Sequence, residues 1–166
     1  MIGGHFMNNL LTIGRKVTAA VFVLVSFFGT TSFAAGDVML TLIGISEETV
    51  IELTEEDLLA LDQFTVQTEN EFVDGLVEFV GPLARDVIAL LGEQEIVTLR
   101  LIAFNDYAVE VPVSDIMDYD VIFALSQNGE RFSIRDKEPA WVIYPMSDHE
   151  ELQDRIYNDR LIWQLV

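Results

Sequence analysis

Three short segments gather polar and aromatic side chains where strands give way to loops. The first is Asn105-Asp106-Tyr107. The second is Arg135-Asp136-Lys137, followed by Trp141 and Tyr144. The third is Arg160 with Trp163 and Gln164. Both tryptophans of the chain and three of its nine Lys and Arg residues fall in these segments. The combination suits a pocket for a flat, polar ligand, partly anionic or hydroxylated. Aromatic rings offer stacking faces, Arg offers directed hydrogen bonds, and a carboxylate accepts from an N–H edge. Each segment also has a plain structural reading. Asn-Asp is an ordinary hairpin turn, Trp141 fits a core, and Arg135 has many surface acids to pair with.

No catalytic set accompanies them. Ser126 and Ser133 have no histidine nearby in sequence. Glu47-Glu48 and Glu55-Glu56-Asp57 lie at helix starts, where solvation explains them. Asp115, Asp118 and Asp120 evoke a calcium loop but lack its glycine and its terminal bidentate Glu. The chain has no Cys, which removes thiol nucleophiles, thiolate-bound metals and disulfides. Of two histidines, only His149 lies beyond the first 34 residues, so a multi-His metal site is excluded.

The elements that must position these residues follow a basic, apolar leader. Arg15-Lys16, the uncharged run Val17 to Phe28, and Ser32-Phe33-Ala34 have the three-part pattern of a secretory signal peptide. Residues 1–34 are therefore expected to be cleaved before Ala35, and no second apolar stretch follows that could insert in a membrane. The expected location is outside the cytoplasm, the periplasm ahead of secretion, which the leader alone does not separate. The leader holds two cations and no acid, so its removal takes the net charge from −19 to −21. That surface repels nucleic acid and anionic lipid. The remaining residues, 35–166, are enough for one domain with a core of its own.

Asp37 to Ile45 reads as a strand. Thr54 with Asp57 approximates a capping box ahead of LLAL. Phe64–Thr68 and Leu76–Val80 read as strands. Pro82 opens a helix with an apolar stripe at Leu83, Val87, Leu90 and Leu91, closed by Gly92. Val97–Phe104 and Tyr107–Pro112 flank an Asn-Asp turn as a hairpin. Ser114 is expected to cap a short helix. Asp120 to Leu125 fits a buried strand or a helix equally. Asn128-Gly129 is a turn, Arg135 to Ala140 a charged loop, and WVIYP a strand. A short helix near Asp148 to Tyr157 precedes a last strand, Leu161 to Val166. Many short strands with a few helices predict an α+β (mixed α/β) domain.

In order, FVGPLARDVIALLG, LRLIAFNDYAVEVPVSDI and IFALSQNGERFSIRDKEPAWVIYP resemble the molybdopterin-binding domain of sulfite-oxidase-like oxidoreductases. The resemblance runs from about Asp37 to the C-terminus. Short exported relatives in that superfamily carry N-D-Y, R-D-K-G-P-x-W-V-I-Y-P and R-x-x-W-Q-L motifs. Asn105-Asp106-Tyr107, Arg135-Asp136-Lys137, Trp141 to Pro145 and Arg160 with Trp163-Gln164-Leu165 match these, with Glu138 where Gly is expected. The enzymes bind molybdenum through a Cys thiolate that this chain lacks. The resemblance to the short relatives implies a non-catalytic periplasmic protein that binds a pterin without metal. The implied ligand is a reduced neopterin- or monapterin-like molecule. The implied contacts are Asn105, Asp106, Tyr107, Arg135, Trp141, Tyr144, Arg160 and Trp163. The implied partner is the periplasmic region of an inner-membrane protein with diguanylate cyclase and phosphodiesterase domains. The outcome would be control of cyclic-di-GMP and biofilm formation. A molybdopterin-dependent oxidoreductase or its subunit, and an interaction module that binds no ligand, are the alternatives.

Overall fold

A computed structural model describes residues 37–132 and 139–166. The expected signal peptide, Ser133 and the Arg135-Asp136-Lys137 segment lie outside the described residues. Among the described residues, four small antiparallel sheets and short helices make a mixed α+β fold, as the segment pattern predicts.

The chain opens with a hairpin of β1 (Val38–Ile43) and β2 (Val50–Thr54). β2 is missing from the sequence reading. It is five residues long, carries Glu52 at its centre, and runs straight into a helix cap, so no strand period stands out. Thr54 caps α1 (Glu55–Ala60) in a full capping box with Asp57. The Thr54 N–H donates to Asp57 Oδ2 at 2.8 Å and the Asp57 N–H donates to Thr54 Oγ1 at 3.3 Å. The Thr54 hydroxyl holds the Asp57 carboxyl below its ordinary range.

β3 (Gln63–Thr68) and β4 (Val77–Pro82) pair next. Pro82 belongs to β4, opposite Gln63, and Leu83 is the N-cap of α2 (Ala84–Ala89). The helix therefore starts two residues later than Pro82 suggests. Ala84, Val87 and Ile88 form its buried face, while Leu90 lies outside the helix and is exposed. β5 (Thr98–Ile102) and β6 (Ala108–Pro112) form the expected hairpin. α3 (Val113–Asp118) follows β6 without a loop. Its N-cap is Pro112, so Ser114 sits inside the helix and caps nothing.

The ambiguous Asp120–Leu125 segment is a strand, β7 (Ile122–Ala124), buried on both faces. β8 (Ser126–Gln127) and β9 (Glu130–Arg131) join through Asn128 and Gly129, at φ 50° and 79°. Positive φ at both central residues is the mirror-image turn that suits strand twist. β10 (Trp141–Ile143) pairs with β7. A 3-10 turn, Glu150–Gln153, precedes α4 (Arg155–Asn158), which Asp154 caps. Residues 161–166 are not the expected strand. They make single bridges, Leu165 to Ala103 and Trp163 to Trp141, and Gln164 at φ 54° breaks the extension between them.

The sheets are β3-β4-β8-β9, β7-β10 and the two hairpins. Gly81 lets β4 lie against β7. A Cβ there would stand 2.1 Å from the carbonyl oxygen of Phe123. On either side, the Leu125 N–H donates to the Val80 carbonyl and the Ala84 N–H to that of Val121, each at 2.8 Å. Backbone cannot yield there as a side chain can. Gly81→Ala is expected to lower unfolding free energy by about 3 kcal/mol, the upper part of the overpacking range. Urea denaturation followed by circular dichroism checks it. An unchanged midpoint would mean that the strands separate freely.

No helix among the described residues is long and apolar enough to cross a membrane.

Candidate functional site

The hairpin turn between β5 and β6 stands beside the C-terminal segment. The Phe104 N–H donates to the Gln164 carbonyl at 2.8 Å, and the Val166 N–H donates to that of Ile102 at 3.0 Å. The turn is built by its own residues. The Asn105 side-chain oxygen accepts from the Tyr107 N–H at 3.1 Å, and Asp106 turns the chain at φ 65°. Asn and Asp are suited to both tasks.

These contacts frame a cavity of about 300 Å³. Asn105 and Tyr107 line it from the turn, and Ala103 from the end of β5. Asn158 and Asp159 line it from the end of α4, and Leu161 to Trp163 from the C-terminal run. Phe72, from the loop between β3 and β4, completes the wall. Tyr107, Phe72 and Trp163 are partly exposed. Phe72 meets Trp163 edge to face, with centroids 4.9 Å apart. The lining residues thus include three aromatics, two asparagines and one aspartate. The wall can stack a planar ring and accept its N–H groups at Asp159.

The structure brings together Asn105, Tyr107 and Trp163 of the expected contacts. It separates the others. Asp106 is exposed in the turn and does not line the cavity, because its left-handed backbone is spent on reversing the chain. Trp141 is wholly buried behind the wall. Its Nε1–H donates to the Leu161 carbonyl at 3.1 Å, and its ring lies edge-on to Phe79 at 5.3 Å. It supports the C-terminal run and offers a ligand no face. Tyr144 is also fully buried. Its hydroxyl donates to Asp115 Oδ2 at 3.1 Å. Burial, then the charge of Asp115, pushes that hydroxyl above the ordinary tyrosine range, so it remains a donor. Arg160 pairs with the same Asp115 oxygen, and its guanidinium lies 5.1 Å from the Tyr157 ring centroid. Tyr144 and Arg160 therefore belong to a structural network. Arg135 lies outside the described residues.

Phe72, Asn158 and Asp159 were missed by the sequence reading. Phe72 sits in a polar loop with no motif. Asn158 and Asp159 immediately precede Arg160, and their adjacency to the matched R-x-x-W-Q-L motif was the available signal.

Neither a protein-family model nor a curated protein sequence matches the chain. Among solved structures, the chain is similar to the sulfane dehydrogenase SoxCD from Paracoccus pantotrophus. The two share 22% identity and a TM-score of 0.52 over 64% of this chain. The match takes in 33% of the dehydrogenase chain. At that identity the likeness shows fold alone. What the two share is a mixed α+β fold over that stretch.

Proposed function

We propose that this protein is a non-catalytic binder of a metal-free pterin. The observation that carries the reading is the cavity wall, where Phe72, Tyr107 and Trp163 accompany Asp159, Asn105 and Asn158. A pterin is a flat ring whose amino and ring N–H groups suit a carboxylate, and whose hydroxylated tail suits amides. A molybdenum-bearing pterin does not fit this chain. There is no Cys to ligate the metal, and a net charge of −19 disfavours a phosphorylated tail. The resemblance of the sequence motifs to short exported relatives extends the proposal. The protein acts in the periplasm on an inner-membrane protein with diguanylate cyclase and phosphodiesterase domains. It signals only if that receptor discriminates the loaded from the empty form.

Calorimetry with reduced and oxidised monapterin tests the ligand. One-to-one binding is expected. Trp163→Ala should weaken it about tenfold or more, as removal of a stacked ring does. Asp159→Asn should weaken it similarly with melting unchanged, whereas Trp163→Ala also loses packing on Phe72 and Trp141 and is compared at a temperature where it remains folded. Asp106→Ala should bind as the parent does. Absence of binding by folded protein would overturn the proposal in favour of an interaction module.

A further inference from the structure

A second depression, about 600 Å³ in volume, runs between β1 and β5. Residues 40–43 and 98–102 line it consecutively. Successive side chains of a strand point to opposite faces, so an unbroken run lining one groove means that the groove meets the strand's edge. The hydrogen-bond phase agrees. The Gly44 N–H donates to the Thr49 carbonyl within the β1–β2 register, so alternate residues Leu40 and Leu42 face β2. Thr41 and Ile43 then turn their N–H and C=O groups to the other edge. In β5, the Ala103 N–H donates to the Tyr107 carbonyl, which leaves Arg100 and Thr98 facing away from β6. Among the described residues, the C-terminal run takes the outer edge of β5 at Ile102, whose carbonyl accepts from the Val166 N–H at 3.0 Å, and no strand pairs with that edge at Thr98 and Arg100 or with the outer edge of β1. Ile88, Phe123 and Leu165 supply an apolar floor.

One end of the groove is closed by Gln94, whose Oε1 accepts from the Ile45 N–H at 2.9 Å. That bond draws the 44–49 and 92–97 loops together. Glu47 lines the groove there, and Glu48, Glu93 and Glu95 are exposed on the same two loops. Among the described residues that line the groove, none at the Val166 end is an acid.

We propose that this groove binds an extended segment of a partner protein by strand addition. The segment is apolar at alternate positions and carries Lys or Arg at the end that meets Gln94. Backbone groups of Thr41 and Arg100 give it hydrogen bonds on both sides, and the floor takes every second side chain. The acids select its charge. A second copy of this chain is a poor occupant, because it brings the same excess of 28 acids over nine cations. The groove shares no lining residue with the cavity, so this inference stands whether or not a pterin binds.

The test uses the full protein and labelled Lys-Val-Thr-Val-Thr-Val-Thr, followed by fluorescence anisotropy. Saturable one-to-one binding is expected. N-methylation of alternate peptide residues removes donors but keeps every side chain, and should weaken binding about tenfold or more. Replacing the peptide's Lys with Glu should weaken it further at low salt than at high salt. Thr41→Pro removes an edge donor on the outer side and should weaken binding with unchanged melting. Equal binding of the N-methylated peptide would overturn strand addition, even where Thr41→Pro fails to fold. So would absence of binding, or a dimer in sedimentation that the peptide leaves intact.

Discussion

Trp141→Ala is expected to lower unfolding free energy by about 3–5 kcal/mol, the range for truncating a buried large aromatic. The indole is 0% exposed. It is enclosed by Phe79 and lies 6.3 Å, centroid to centroid, from both Phe132 and Trp163. Truncation leaves a void that β10 and β7 cannot close, since both strands are pinned by their pairing. It also strips the Leu161 carbonyl of its indole donor. The motif match casts Trp141 as a stacking face, which predicts lost ligand affinity in a stable protein. The structure predicts the reverse order of effects: stability falls first, and binding suffers because Leu161 to Trp163 lose their support. Urea denaturation measures the first. Trp141→Phe, which keeps a ring in place, separates the two and should bind pterin within a few-fold of the parent. A Trp141→Ala protein as stable as the parent but unable to bind would restore the stacking role.

That reversal marks what the sequence conveys and what it does not. Turn chemistry was legible because it is local. Thr54 with Asp57, the Asn105-Asp106 turn and Asn128-Gly129 all stand where their side chains or backbone freedom require. The β5–β6 hairpin followed from two apolar runs around a turn signal. Long-range placement was not legible. Trp141 and Trp163 look alike as aromatics beside cations, yet one is sealed in the core and the other is partly exposed at the cavity. Only the pairing of β10 with β7 on one side and the C-terminal run on the other decides this. The last segment misled for a related reason. Its apolar run suggests a strand, but Gln164 at positive φ breaks it so that Trp163 reaches the cavity while Leu165 enters the core. The chain's cations misled too. Arg160 stands among the expected ligand contacts, whereas it pairs with Asp115, as Arg85 does with Asp120 and Arg131 with Glu55. In so acidic a chain, these three cations each have a carboxylate within reach.

Arg160→Met is expected to destabilise the protein by about 3–5 kcal/mol, because it strands a buried charge at Asp115. The side chains of Arg160 and Asp115 are 12% and 10% exposed. Asp115 is on α3, Tyr144 follows β10 and Arg160 follows α4, so one carboxylate oxygen ties three separate parts of the chain. Asp115→Leu should cost a similar amount, since it strands the guanidinium and removes the acceptor of the buried Tyr144 hydroxyl. The double variant decides between two accounts. If desolvation of the pair roughly cancels its attraction, Asp115→Leu with Arg160→Met will be far less damaging than the sum of the single changes. Denaturant titration of all four proteins measures the coupling. Additive losses would mean that each side chain acts through its own packing, Arg160 on Tyr157 above all. Pterin binding in the double variant then tests the site. Arg160 does not line the cavity, so a double variant that folds should bind as the parent does. Lost affinity in a folded double variant would return Arg160 to the ligand.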